Sequence, residues 1–482
     1  MAGEPVIAVR GLSAEVGGRS IVRDVHLDVG AGEVVALLGP SGAGKTTVAA
    51  AVAGVDRPGL EVTGAIEVAG RVGYLPQHAA ATLNPARRIG AALGEYASLG
   101  SGAGRERVAE VLRTAAFDVD GAELAATLRK YPSEFSGGQR TRLALAQVLA
   151  VAPDALVLDE PTAGLDALSR ADLVRRLAVL RDRGMAVLLV THDPFVAEEL
   201  ADRALQVCEG ELAGPARFPA AAAPPVSAAA LSAGRNEVEL RGVGVPHRLA
   251  DVDLQVAAGE VLGVIGASGA GKSSLARCVA GLLEPQRGQV LIGGRRFPRL
   301  RKRSRQQLAQ VQHVWQESAG SFEPRRPVLD QVAATAVRLR GLDAAAARDE
   351  AVELLRELAI APEQAARHPA GLSGGQLQRA AVARALLAHP RVLICDEVTN
   401  GLDQPLSAQI LDHIARFRHE HGCAVINISH DVRSQLQRAD RVAVVADGRI
   451  AEVGTPGELL QDPRSAHLRD LLHAEGLTPA PR

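Results

Sequence analysis

The chain has 482 residues, a formal net charge of −1 and 47% hydrophobic residues. Its length exceeds one ordinary core and predicts two domains, and its balanced charge excludes a general polyanion binder. The four cysteines (Cys208, Cys278, Cys395, Cys423) stand apart without a C-x-x-C pair, so they read as buried free thiols in a reducing compartment rather than a disulfide framework or metal site.

In chain order, IAVRGL and VHLDV read as strands, and VVALLG (34–39) is a short apolar strand. It runs into the glycine loop Gly39–Thr47 (GPSGAGKTT), and TTVAAAVAGV continues as a helix. Strand, loop and helix in that order are the context a P-loop requires. RERVAEVLRTA (105–115) has helical periodicity, FSGGQ (Phe135–Gln139) precedes another helix, and ALVLDE (155–160) and AVLLVTH (186–192) read as strands buried on both faces.

The stretch between the copies, GPARFPAAAAPPVSAAALSAGRN, is Ala/Pro-rich and reads as a tether, with a short amphipathic helix conceivable near 226–231. The whole set then recurs: GASGAGKSS (Gly266–Ser274), a helical RDEAVELLRELAI (348–360), LSGGQ (Leu372–Gln376), VLICDE (392–397) and AVINISH (424–430). Lys45 and Lys272 are 227 positions apart, and Ser136 and Ser373 are 237 apart, so the repeat is a duplicated domain and not a solenoid. The expected organisation is a first domain at 5–214, a linker at 215–235 and a second domain at 236–482. Each is an α/β parallel-sheet core with a helical subdomain inserted. The basic run Arg295–Arg305 reads as a solvated face. No apolar stretch reaches the roughly 18 residues that span a bilayer, and no secretory leader is recognisable, so a cytoplasmic protein is expected.

The chemistry follows from residue types. P-loop glycines let backbone N–H groups approach phosphate oxygens, and the helix start adds its dipole. The candidate phosphate-binding residues are Gly39, Ser41, Gly42, Gly44, Lys45, Thr46 and Thr47, and in the second copy Gly266, Ser268, Gly269, Gly271, Lys272, Ser273 and Ser274. The lysines suit the β- and γ-phosphates, while Thr46 and Ser273 offer hydroxyls to Mg²⁺. Asp159 and Asp396 end apolar strands and are candidate Mg²⁺ carboxylates. Glu160 and Glu397 follow as candidate general bases. His192 and His430 close later strands at matching positions, suiting a γ-phosphate contact. Ser136, Gly138, Gln139 and Ser373, Gly375, Gln376 open helices, a second anion-binding feature that a simple helix cap explains equally well.

P-loop, Gln, SGGQ, Asp-Glu and His in this order resemble the nucleotide-binding domain of ATP-binding cassette (ABC) proteins. The resemblance spans both copies. It implies two tandem P-loop NTPase domains of ABC type, each also bearing an antiparallel β subdomain. It implies a head-to-tail pairing in which each P-loop faces the other copy's SGGQ, with ATP and Mg²⁺ between. Gln77 and Gln316 match the family's Q-loop, which touches Mg²⁺ and couples to the membrane partner. Asp166 and Asp403 match the loop crossing the interface. YLPQHAAATLNPARR (74–88), VWQESAGSFEPRRPV (314–328) and the tail 447–472 are similar to the peptide and nickel importer branch. The implied task is energising uptake of a peptide, nickel chelate or similar solute. The implied partners are two transmembrane permease subunits and, indirectly, an extracellular solute-binding protein, at the cytoplasmic face of the membrane and without nucleic acid. An exporter energiser, or a soluble tandem ABC protein acting on ribosomes, are the alternatives. The sequence departs from the family where an aromatic residue stacks on adenine: Val16 occupies that register in the first copy and only His247 is nearby in the second.

Overall fold

The computed structural model describes residues 4–40, 42–99, 104–117, 119–215, 235–316, 318–399 and 404–477. The chain divides into two compact units near residue 222. The Ala/Pro-rich tether with its suggested helix, Ser41 and Asp403 lie outside the described residues.

The first unit opens with β1 (Ile7–Val16), β2 (Arg19–Val29), β3 (Val34–Leu38), α1 (Lys45–Val52), β4 (Leu60–Val68) and β5 (Val72–Leu75). A run of helices follows: α2 (Ile89–Leu99), α3 (Arg105–Thr114), α4 (Gly121–Arg129) and α5 (Gly137–Ala150). The chain then returns to the sheet through β6 (Ala155–Asp159), α6 (Ala167–Asp182), β7 (Ala186–Val190), α7 (Pro194–Leu200), β8 (Arg203–Cys208) and β9 (Glu211–Pro215). The core sheet has the order β5-β6-β7-β3-β8-β9, parallel except for β9. Strands β6 and β7 are buried at every position, as unbroken apolar runs in a sheet covered on both faces must be. Each fully buried Leu or Val there stabilises the fold by about 1.5–3 kcal/mol. A separate antiparallel sheet, β2-β1-β4, packs with β3 and α1 into one core, while helices α2–α5 form another with the far face of the sheet.

The second unit repeats the plan with β10 (Asn236–Val245), β11 (Leu249–Ala257), β12 (Val261–Ile265), α8 (Lys272–Ala280), β13 (Arg287–Ile292), β14 (Arg295–Arg296), α9 (Arg305–Gln310) and β15 (Val311–Val314). Its helices are α10 (Val328–Thr335), α11 (Ala344–Glu357), α12 (Pro362–Ala365) and α13 (Gly374–Leu386). The core closes with β16 (Val392–Asp396), α14 (Gln404–His421), β17 (Ala424–Ile428), α15 (Val432–Arg438), β18 (Arg441–Ala446) and β19 (Arg449–Gly454). Two further helices, α16 (Pro456–Gln461) and α17 (Ala466–Ala474), extend beyond it. The core order is β15-β16-β17-β12-β18-β19, and the antiparallel sheet is β11-β10-β13-β14.

Two sequence expectations need correction. The basic run is not wholly solvated: Arg303 is buried, its guanidinium 4.1 Å from the Phe297 ring centroid and bonded to the Ala280 carbonyl at 2.7 Å. That burial lowers its pKa to about 10. Of the four free cysteines, Cys278, Cys395 and Cys423 are buried, but Cys208, at the end of β8, is exposed.

Candidate active sites

The P-loop glycines are required by local geometry. Gly44 caps α1 at φ 100°, and a Cβ there would lie 2.9 Å from the Ile21 carbonyl oxygen. Gly39 runs so close to β8 that a Cβ would sit 2.3 Å from the Val207 oxygen. Gly271 and Gly266 repeat both constraints against Arg248 and Val445, at 2.8 and 2.2 Å. No L side chain fits these positions without moving backbone. Between these fixed points Gly42, Ser268 and Gly269 form exposed loop crests, and Thr46, Thr47, Ser273 and Ser274 begin the helices half-buried. Lys45 curls back to donate to the carbonyls of Gly39 (2.8 Å) and Pro40 (2.9 Å), and Lys272 to those of Gly266 (2.7 Å) and Ala267 (2.9 Å). Burial pushes both ammonium pKa values down, opposed by Glu160 and Asp159 in one unit and by Glu397 in the other. Such desolvated cations favour an incoming phosphate.

Asp159 and Asp396 stand at the carboxyl ends of β6 and β16, beside their P-loops. Both Asp159 oxygens are buried, and burial raises its pKa against the opposing effect of the neighbouring Thr46 hydroxyl. Ser273 Oγ donates to Asp396 Oδ1 at 3.3 Å. These residues fit Mg²⁺: one carboxylate and one hydroxyl per site, with other positions left to phosphate and water, is how Mg²⁺ binds nucleotides. Among the described residues no cluster of three or more His, Cys, Asp and Glu forms a self-contained metal cage.

Glu160 and Glu397 both adopt a left-handed backbone, φ 53°. Their amides bond across to the next strand, Glu160 to the Val190 carbonyl (2.9 Å) and Glu397 to that of Ile428 (3.0 Å). A non-glycine residue held there costs about 1–3 kcal/mol, and such strain persists where the surroundings over-determine it. His192 Nδ1 lies 2.7 Å from Glu160 Oε1, and this bond raises the imidazole pKa. In the second unit His430 Nδ1 is 3.7 Å from Glu397 Oε2, while Gln316 Nε2 donates to that oxygen at 2.5 Å. Gln77, the first unit's counterpart of Gln316, is exposed.

The SGGQ segments form helix starts. Ser136 Oγ accepts from the Gln139 amide (3.3 Å) and Gln139 Oε1 from the Ser136 amide (3.0 Å); Ser373 and Gln376 repeat this at 3.3 and 2.8 Å. This reciprocal cap uses an acceptor oxygen on each side chain and leaves the donor groups outside it. Helix geometry leaves the amides at the first two helical positions, Gly137 and Gly138 or Gly374 and Gly375, without intrahelical partners and open to an anion. A Cβ on Gly138 would meet Leu165 at 2.9 Å.

Sequence reasoning missed Tyr74 and His313, each three residues before the Q-loop glutamine. The Tyr74 hydroxyl is buried, and its pKa is raised first by burial and then by Asp159, with Arg57 opposing. His313 Nε2 is 3.9 Å from Asp396 Oδ2, and its ring stacks on Trp315 with centroids 5.1 Å apart. Their shared offset from Gln77 and Gln316 was the available signal, but differing residue types hid it.

The sequence pattern of the ABC transporter family matches residues 22–163 and 249–400. The glutathione import ATP-binding proteins GsiA of Shigella sonnei and Escherichia coli K12 are each 29% identical to the chain, over 94% of its length and 86% of theirs. Among solved structures, cbiO1 from Clostridium perfringens, part of the ABC transporter complex cbiONQ, is similar at 25% identity and a TM-score of 0.43, covering 48% of this chain and 92% of its own. With both cassette patterns matched over more than half of its length, the chain belongs to the ABC transporter family, as an ATPase that energises transport.

Proposed function

We propose that the chain drives import of a small peptide-like solute or metal chelate through separate transmembrane subunits, with two ATP molecules bound between its cassettes. The boundaries proposed are 5–214 and 236–482, joined by a tether at 215–235. One site pairs Lys45, Thr46, Asp159 and Glu160 with Ser373, Gly375 and Gln376, and the other pairs Lys272, Ser273, Asp396 and Glu397 with Ser136, Gly138 and Gln139. The observation that carries this reading is the strained glutamate beside a histidine at the end of a buried strand, present in both units. The import assignment draws on the relatives' role in glutathione import, the similarity running over nearly the whole chain.

In each site the lysine and loop amides bind the phosphates, and the glycine amides of the opposing SGGQ helix add donors. Thr46 with Asp159, and Ser273 with Asp396, would hold Mg²⁺, helped by Gln77 and Gln316, and the ion would supply neutralisation of phosphate charge. Glu160 and Glu397 take a proton from the attacking water, and His192 and His430 position the γ-phosphate. Closure of the cassettes on ATP then moves the Q-loop surfaces against two permease subunits, and an extracellular solute-binding protein delivers cargo. The chain works at the cytoplasmic face; among its described residues no helix is long and apolar enough to cross a membrane. No nucleic acid takes part.

The test is purification of the full chain from detergent-solubilised membranes of its own host. Co-elution of an integral-membrane pair, with ATP turnover in liposomes that rises when the cognate binding protein is added, is expected. Recovery with ribosomes and no membrane subunits would overturn the reading.

A further inference from the structure

The second unit carries a helix beyond its core, and that helix is anchored. Glu452 accepts from the amides of Arg464 (3.1 Å) and Ser465 (2.8 Å), and Ser465 Oγ caps α17 by accepting from the Leu468 amide at 3.1 Å. Leu468, Leu471 and Leu472 are buried beneath it. Held this way, α17 sets His467 and Leu471 into the wall of a cavity that opens over P-loop residues 266–270. His247, in the turn between β10 and β11, lines the same cavity, as does Asp447, whose Oδ2 is 3.7 Å from His467 Nε2.

Phosphates held by Lys272 and the loop amides leave the rest of a nucleotide to extend past the loop into this cavity. Its lining includes no Phe, Tyr or Trp, so the two imidazoles are its flat rings. Flat rings are what a base stacks on. The corresponding turns of the first unit carry Val16, Gly17 and Gly18 and, between β8 and β9, Glu209 and Gly210, none with a ring.

We propose that His467, together with His247, forms the base-binding wall of the second nucleotide site, making the tail helix a specificity element for one ATP of the two. The proposal rests on the nucleotide reading of Lys272 and its loop and adds to it a residue from outside the cassette core. His467 meets the face of the base, Asp447 lies beside the imidazole, and the phosphates are untouched by either.

The experiment uses the full chain with Lys45→Ala, so that the second site dominates, and measures equilibrium binding of ATP and of inorganic tripolyphosphate. His467→Ala should weaken ATP binding about fivefold or more, the scale of one stacking contact. Tripolyphosphate binding should not change, and His467→Tyr should restore ATP affinity. In a Lys272→Ala background, where the first site remains, His467→Ala should leave ATP binding unaltered. Unchanged ATP binding in His467→Ala, or an equal loss of both ligands, overturns the role of the tail and leaves the loop reading standing. ATP binding that survives Lys45→Ala combined with Lys272→Ala overturns the nucleotide reading itself.

Discussion

Glu160 and Glu397 occupy matching backbone positions at φ 53°, but different neighbours hold their carboxylates. Glu160 is held by an imidazole, His192 at 2.7 Å, with Thr191 Oγ1 donating at 3.5 Å. Glu397 is held by an amide, Gln316 at 2.5 Å, with His430 further off at 3.7 Å. The ring beside the strand-end aspartate also differs, Tyr74 in one unit and His313 in the other. The backbone, locked by strand pairing, is common to both units; the side-chain partners are where duplicated sites diverge. An imidazole partner changes charge near neutral pH and an amide does not, so the same glutamate meets different electrostatics in each copy.

The comparison breaks most sharply with Glu160→Gln and Glu397→Gln. Each should lower ATP turnover about 100-fold or more while nucleotide still binds, the scale of a lost general base. Single-turnover kinetics beside ATP binding measure this, and one silent substitution would show that only one site does chemistry. Next, Gly44→Ala and Gly271→Ala place a side chain at φ 100° and 110° against a carbonyl 2.9 and 2.8 Å away. Each should cost about 1–3 kcal/mol in urea unfolding of the full chain. An unperturbed midpoint would mean the loop rearranges freely. Gln316→Ala removes a hydrogen bond to a charged group and should change turnover about tenfold. Gln77→Ala, lacking that contact, should do less, and equal effects would locate the role of both glutamines elsewhere.

The smallest effect is in titration. The Glu160 bond raises the His192 pKa, so protonated His192 stabilises the fold. That contribution is complete below the ordinary histidine value of about 6.5 and is lost as pH rises through the elevated folded value. The His192 side chain is 60% exposed, so solvent screens the gain. NMR titration should place His192 above its ordinary value and return it there in Glu160→Gln; an indifferent His192 would remove this distinction between the sites.

The sequence alone determined the duplication, the α/β cores and the residues that gather at the sheet edge. Short-range rules govern these: a P-loop needs glycines at fixed offsets, and a strand buried on both faces must be apolar throughout, as β6, β7, β16 and β17 are. Tertiary structure alone decided that Arg303 is buried under Phe297, that Tyr74 and His313 stand beside the aspartates, that Gln316 holds Glu397, and that the tail helix reaches the second P-loop. Each of these joins residues distant in the chain or depends on which of several polar neighbours a side chain reaches. Such choices turn on ångström-scale differences in packing that no residue pattern encodes.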